Sequence, residues 1–265
     1  MRSLVIVVAA LVILRPALGQ SESRLLSSAQ PTARTLVLRP AASAASAANR
    51  NPRVLHAAAG VVERRLRETG VRSPAVVVDD ARGTLAVTIP ADCSVDGLRD
   101  LLTRRARLEF RCLHQLNKAW RTAPEVVKGR VTGFEQIVGP DGRPVRRAEL
   151  AAALSSKAPF TGADLQPTCR AESLGASAQS RMPARVGVHF EFKPNVKARF
   201  EAFTAQHIGH RLAIFLDDRL LSAPQIMAPI PGAGIIMARC DLPRARNLAA
   251  QLNSGPLPVP LELVR

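Results

Sequence analysis

The stretch Ala75–Ile89 reads AVVVDDARGTLAVTI and decides the fold class of the first half of the chain. Two β-branched runs, at 75–78 and 85–89, flank the segment Asp79–Gly83, in which Asp and Gly favour a tight turn. The paired carboxylates Asp79-Asp80 therefore fit turn chemistry. The stretch as a whole predicts a β-hairpin.

A helix is predicted on each side of this hairpin. Upstream, residues 52–69 carry an apolar stripe at helical spacing, and Gly70 suits a C-terminal cap. The stripe consists of Val54, Leu55, Ala58, Val61, Val62 and Leu66. Downstream, Ser94 suits the N-cap of a helix over 95–105. The two helices enclose the hairpin in the sequence.

Strand candidates at 35–39 and 106–110 complete the order β-α-β-β-α-β. This order is typical of an α+β, ferredoxin-like base with an antiparallel sheet and helices on one face. A second mixed α+β subdomain follows, with strands predicted at 186–192, 212–216, 220–226, 234–238 and 259–264, and helices at 195–207 and 243–253.

The segments between these regions are predicted to be less regular. Residues 113–157 contain many Gly and Pro residues, which predicts an irregular insertion with one hairpin around Asp141-Gly142 and a short helix over 149–155. Residues 170–183 are small, polar and basic, and predict a mobile loop.

The N-terminus has the pattern of a secretory signal. Arg2 precedes an apolar run over 4–14, and Ala17 and Gly19 suit a cleavage site. The alternative is a short uncleaved membrane anchor. Residues 20–51 then form an Ala/Ser-rich linker with one strand. We expect an exported, periplasmic protein, anchored to the inner membrane if the segment is retained.

The charge balance is strongly basic. The chain has 37 Lys and Arg against 21 Asp and Glu, a formal charge of +16, and the Arg residues are scattered. This distribution favours a solvated basic surface, with binding of a polyanion as the alternative. Because the chain has no Tyr and one Trp, we expect no specific nucleic-acid partner.

Four cysteines in an exported chain suggest disulfides. They are Cys93, Cys112, Cys169 and Cys240, and the preferred pair is Cys93–Cys112, because both lie at one end of the predicted base. Free buried thiols are the alternative.

No constellation for catalysis, metal or cofactor binding stands out. Asp217-Asp218 lies in a predicted turn, and His207 and His210 lie at a helix end without an evident third ligand. Ser222 lies within a strand rather than on a nucleophile elbow. The chain is therefore expected not to be an enzyme, and no cofactor or metal is expected.

Several apolar side chains have two interpretations. Periodicity places them in the core, and the alternative is that some of them line a groove for an extended peptide. The groove candidates are Phe200, Phe203, Phe215 and Ile226.

Five segments resemble the SecD protein-export family. Gly209–Ile230 (GHRLAIFLDDRLLSAPQIMAPI) and Ser254–Val264 (SGPLPVPLELV) are similar to a strand-turn-strand and to a return strand of SecD. Gly60–Val76 is similar to its Arg-rich helix and the strand that follows, and Arg105–Arg111 (RARLEFR) to a further strand. Pro159–Leu165 resembles the family pattern Leu-Thr-Gly-x-Asp-Leu.

The resemblance implies the first periplasmic domain of SecD: a ferredoxin-like base with a head inserted before the final strand. The expected divisions are a signal at 1–19, a linker at 20–51, the base at 52–112, the insertion at 113–157, and the head with its return strand at 158–265. In the family this domain is thought to engage translocating polypeptide, driven by proton flow through transmembrane helices. The chain is expected to be a stand-alone exported form without those later helices.

The function implied is that of a noncatalytic module that binds polypeptide and assists protein translocation across the inner membrane. The expected partners are unfolded exported polypeptide or membrane subunits of the export machinery, including a separate subunit with which the chain would restore a split SecD. The alternative is an Arg-rich, polyanion-binding envelope protein that uses a SecD-like fold.

Overall fold

A computed structural model describes residues 33–42, 51–113, 120–154, 158–175 and 185–264. The predicted signal at 1–19 lies outside these residues. None of the described helices is both long enough and apolar enough to cross a membrane.

The base is built from four strands and two helices. They are β1 (Ala33–Pro40), α1 (Pro52–Glu68), β2 (Ala75–Asp79), β3 (Thr84–Pro90), α2 (Val95–Thr103) and β13 (Leu261–Leu263). The sheet order is β13-β1-β3-β2, with antiparallel pairs throughout. Apolar residues of α1, α2 and the strands form one core, centred on residues such as Leu38, Leu66 and Leu102. The predicted α+β class and ferredoxin-like base are confirmed.

Local signals set the ends of α1. The Asn51 side chain accepts a hydrogen bond from the Arg53 backbone N–H at 2.9 Å. At the other end Gly70 has a φ of 79°, and its N–H donates to the Arg67 carbonyl at 3.0 Å. A glycine tolerates this left-handed conformation without steric cost.

The strand predicted at 106–110 is placed differently from the prediction. It forms β4 (Leu108–Leu113), which pairs with β10 (Arg211–Leu216) of the head in the register Leu108↔Leu216 to Leu113↔Arg211. The last strand of the base is instead β13, which pairs with β1. The local pattern predicted a strand correctly, but its pairing partner lies about a hundred residues away.

The head contains two sheets and two long helices. One sheet has the order β11-β10-β4-β7 and the other β12-β9-β8. The additional elements are β7 (Phe160–Thr161), β8 (Arg170–Leu174), β9 (Arg185–Glu191), α4 (Pro194–Gln206), β10 (Arg211–Leu216), β11 (Arg219–Ser222), β12 (Ala233–Ala238) and α5 (Leu242–Ser254). Six phenylalanines are buried in the core: Phe110, Phe134, Phe160, Phe190, Phe192 and Phe200.

Two segments are more regular than predicted. The insertion contains a hairpin of β5 (Arg121–Val127) and β6 (Arg130–Val138), followed by α3 (Arg147–Ala153). Its turn is at Lys128-Gly129, where both φ values are positive. Such a turn matches the twist of the strands that it joins. The predicted turn at Asp141-Gly142 is also formed: Val138 pairs antiparallel with Pro144, and the Val145 N–H donates to the Ile137 carbonyl at 2.8 Å. The predicted loop after Cys169 begins with β8, which pairs with β9.

The base and the head lie in one compact unit, Ala33–Arg265. Helix α5 contributes to both cores: Ala250 packs in the base, whereas Leu248 and Leu252 pack in the head. Asn247 and Gln251 of α5 also donate to the carbonyls of Gly97 and Asp100 in α2, at 2.8 and 2.7 Å.

Candidate functional site

A cleft of about 570 Å³ lies between α2 of the base, α5 of the head and the β5–β6 hairpin. Residues lining it from these elements and from β10 and β11 are Asp96, Asp100, Arg104, Val127, Arg130, Val131, Phe134, Leu216, Leu221, Arg244 and Leu248. This volume is within the range of ligand sites, about 300–1,000 Å³.

The floor of the cleft is apolar and its rim is charged. Phe134, Leu216, Leu221 and Leu248 are buried and belong to the core of the head. The rim carries charges of both signs from α2, α5 and the hairpin. An apolar floor with a polar rim suits an apolar side chain whose backbone stays near water.

The tip of the hairpin adds exposed apolar surface. Val127 and Val131 border the cleft and are 52% and 51% exposed, and Val126 opposite Val131 is 54% exposed. Exposed β-branched side chains next to a cleft mark a candidate interaction surface.

The hairpin is attached to the head by one stacked arginine and two ion pairs. The Arg219 guanidinium lies 3.8 Å from the centre of the Phe134 ring and also forms an ion pair with Glu125. A second pair joins Arg239 to Glu135 at 2.9 Å. These contacts hold the hairpin over the cleft.

The Glu125 carboxylate is stabilised in its charged form. A hydrogen bond from the Thr132 hydroxyl and the hydrogen bond and charge of Arg219 lower the pKa of Glu125. Because the folded pKa is lowered, this stabilisation is present above the ordinary pKa of a glutamate and is lost as pH falls through the folded value.

We therefore expect the hairpin to loosen below about pH 4. Trp120, the one tryptophan of the chain, precedes β5 and packs against the cluster that includes Ile137, so its fluorescence reports the hairpin. The emission should change on acidification in the wild type. In Glu125→Gln this acid transition should be absent. An identical transition in both proteins would contradict the role of Glu125.

The base and the head are connected through the joint, which we define as residues 104–107 and 255–258. The fully buried guanidinium of Arg65 donates to the carbonyls of Leu101, Arg104, Arg105 and Gly255, at 2.8, 2.6, 2.9 and 3.2 Å. Burial lowers the pKa of Arg65 to about 10, so the side chain stays charged at neutral pH. The Arg65 side chain of α1 thus binds both segments of the joint.

The head holds the joint through Asp217. Its carboxylate accepts hydrogen bonds from the backbone N–H groups of Ala106 and Arg107, at 3.1 and 2.9 Å. Asp218 forms an ion pair with Arg107 at 2.6 Å. Both aspartates have positive φ values in the turn between β10 and β11. The predicted turn is confirmed, and Asp217 additionally links the turn to the base.

The predicted disulfide is not formed, since all four cysteines are free thiols. Cys93 packs against the core of the base, whereas Cys112 lies on β4 opposite Leu212 of the head. The pairing depended on β4 belonging to the base sheet, which it does not. Burial raises the pKa of Cys112 and Cys169 to about 11, so both thiols are poor nucleophiles at neutral pH.

The groove candidates lie in cores rather than on a shared surface. Phe200 and Ile226 are buried in the head core, against which the half-buried Phe203 packs, and Phe215 is buried in a separate cluster with Leu220. Burial supports the core interpretation that periodicity gave them.

The other candidates do not form a chemical site among the described residues. The His207 Nδ1 lies 2.7 Å from the Phe203 carbonyl, and the rings of His207 and His210 are 6.0 Å apart. The described parts of the chain contain no group of three His, Cys, Asp or Glu residues suited to a metal. Ser222 ends β11 as a buried strand residue.

The sequence interpretation missed Arg65 and Phe134. Arg65 follows Val61 by four residues and Val62 by three, so it falls on the apolar stripe of α1. A charged residue on such a stripe was a usable signal. Phe134 carried no comparable signal within its Gly-rich surroundings.

Comparison with known proteins gives a consistent result. Residues 146–259 match the SecDF P1 head subdomain family. The SecD subunit of Aquifex aeolicus is 28% identical over 208 residues, which cover 77% of this chain and 37% of the relative. The SecDF protein of Thermus thermophilus is 30% identical over 223 residues, covering 79% of this chain and 27% of the relative.

A solved structure of SecDF, described as a membrane component that enhances protein export, has the same fold. It aligns with a TM-score of 0.56 at 26% identity, over 88% of this chain and 98% of that chain. The chain spans between about a quarter and two fifths of the two curated relatives. In sequence and in fold, the described residues correspond to a SecD periplasmic domain.

Proposed function

We propose that this chain is a noncatalytic exported module that binds unfolded polypeptide in the cleft and assists protein translocation. The observation that carries the proposal is the apolar floor beneath a charged rim, bordered by half-exposed valines of the hairpin. The likeness to translocase subunits supports polypeptide as the ligand class.

The cleft suits an extended segment better than a folded surface. Its walls come from three separate elements, and its floor accepts apolar side chains without a buried charge. An unfolded chain presents such side chains at every few positions, so recognition by size and polarity tolerates many sequences. Sequence tolerance is what a module for diverse exported proteins requires.

The proposed compartment and partners follow from the same likeness. We place the module in the periplasm, beside membrane subunits of the export machinery. The polyanion alternative has less support, because many arginines are already engaged. Arg39, Arg107 and Arg239 pair with carboxylates, while Arg65 and Arg211 donate to backbone carbonyls.

Binding is tested with a fluorescently labelled, unfolded exported protein and fluorescence anisotropy. The Val131→Asp variant places a charge at the border of the cleft and should weaken binding about tenfold, which corresponds to about 1.4 kcal/mol. Ile208→Asp is the matched control, since Ile208 is 50% exposed and is not among the residues that line the cleft. Equal affinities for both variants and the wild type would contradict the cleft as the binding site.

Salt dependence separates this proposal from the polyanion alternative. Binding through apolar contacts should persist at moderate salt. Binding to a polyanion should fall linearly in a plot of log affinity against log salt concentration.

A further inference from the structure

We propose that the outer edge of β2, which pairs with no described strand, binds an extended polypeptide segment with an uncharged body by strand addition; this inference rests on the proposed function and adds a second site to it. Strand β2 lies at the end of the sheet order β13-β1-β3-β2. An edge strand presents backbone N–H and C=O groups that a partner strand can pair with.

The edge of β2 carries none of the usual protection over residues 75–78. Residues 75–78 read Ala-Val-Val-Val, without charge, proline or glycine. Their register with β3 runs without a shift from Ala75↔Thr88 to Asp79↔Thr84. Natural sheets normally protect an edge with charges, proline, bulges or short strands.

Four other described strand edges do have such protection. β13 has three residues and β7 has two. β5 contains Pro124 and a shift in register next to it. β8 carries the ion pair of Arg170 and Glu172. Compared with these four edges, β2 is therefore better suited to pair with another chain.

The side chains of β2 define the partner. Val77 is 62% exposed on the open face of the sheet, whereas Val76 and Val78 are partly buried beside the core of the base. An added strand would repeat this alternation and extend the apolar face toward α1. Alternating β-branched residues suit that position best.

Charged residues at the ends of β2 determine the direction of the added strand and the charge of the residue that flanks it. Asp79 and Asp80 follow the uncharged run, while Arg72 precedes it. The N-terminal flank of an antiparallel partner would lie beside the two aspartates, so a cation there is favoured. The expected ligand is an extended segment with a basic N-terminal flank and an uncharged, β-branched body.

The test uses the labelled peptide Lys-Thr-Val-Thr-Val-Thr-Gly and the full chain. The wild type should bind it, and Val77→Lys should weaken binding at least fivefold, because a charge at mid-edge disfavours pairing. Val37→Lys is the matched control: Val37 is in the same row of the same face, but on the inner strand β1. Its affinity should equal that of the wild type.

A second peptide tests the backbone mode. Replacing both valines by proline removes backbone donors and should abolish binding. Equal binding of the proline peptide, or equal binding to Val77→Lys and the wild type, would overturn the proposal. A failure of the wild type to bind the first peptide would also overturn it.

Two further measurements identify what occupies the edge and separate this site from the cleft. If the edge is occupied by a second copy, sedimentation will show a dimer that Val77→Lys dissociates, and the proposed ligand is then wrong. Val131→Asp should leave the affinity for the peptide unchanged but weaken the binding of the unfolded protein. Peptide binding without any binding of the unfolded protein would reject the proposed function and retain the strand-addition site.

Discussion

Replacing Arg65 by methionine is expected to lower the free energy of unfolding by about 3–5 kcal/mol, the range for breaking a buried charged network. Methionine retains most of the side-chain volume but provides no donor. Four carbonyls, from Leu101, Arg104, Arg105 and Gly255, would lose a charged hydrogen-bond donor. Urea unfolding followed by circular dichroism measures the change.

The position of Arg65 explains why this effect should be large. Leu101 and Arg104 lie at the end of α2, where the chain leaves the base, whereas Gly255 lies where the chain returns from the head to the base. Losing the guanidinium therefore affects both connections between base and head at once.

Two variants separate this role from a general effect of charge. Arg65→Lys keeps a cation but not the planar fork, so it should recover only part of the lost stability. Arg67→Met changes an exposed arginine of the same helix, paired with Glu63, and should cost less than about 1 kcal/mol. A loss at Arg65 no larger than that at Arg67 would contradict the bridging role.

Replacing Phe110 by alanine is expected to cost about 3–5 kcal/mol, the usual range for a buried phenylalanine. The ring lies within 5.4, 5.2 and 6.1 Å of the ring centres of Phe190, Phe192 and Phe200. The cavity left behind would be surrounded by strands of both head sheets and by α4, which limits relaxation.

The matched variant is Phe203→Ala, at the margin of the same cluster. Phe203 is only partly buried and contacts Phe160 at 5.4 Å. Its truncation should cost about half as much or less, since less surface is removed from contact. Equal losses at both positions in thermal unfolding would show that the aromatic cluster is not centred on β4.

The local signals of the sequence predicted elements well where each signal concerned neighbouring residues. The apolar stripe and Gly70 predicted α1, and the turn residues of Asp79–Gly83 predicted the β2–β3 hairpin. Asp217-Asp218 predicted the turn between β10 and β11. Turn chemistry and helical periodicity act over a few residues, so they are readable in a single chain.

Pairing and the candidate site depend on distant residues and were less accessible. The strand at 108–113 has the same pattern whether it joins the base or the head, and its partner Arg211–Leu216 decides the matter. The wrong disulfide prediction had the same origin. The cleft combines α2, α5 and the hairpin, which no local pattern brings together.

We propose that unfolded polypeptide enters the cleft beside the hairpin. It is tested most directly by placing a photoreactive amino acid at Val131 and, separately, at Ile208, and irradiating each variant with an unfolded exported protein. We expect strong crosslinks from position 131 and few from position 208, and we expect Val127→Asp to reduce the crosslinks from position 131. Crosslinks of equal yield from both positions, or none from position 131 when the protein is bound, would contradict it.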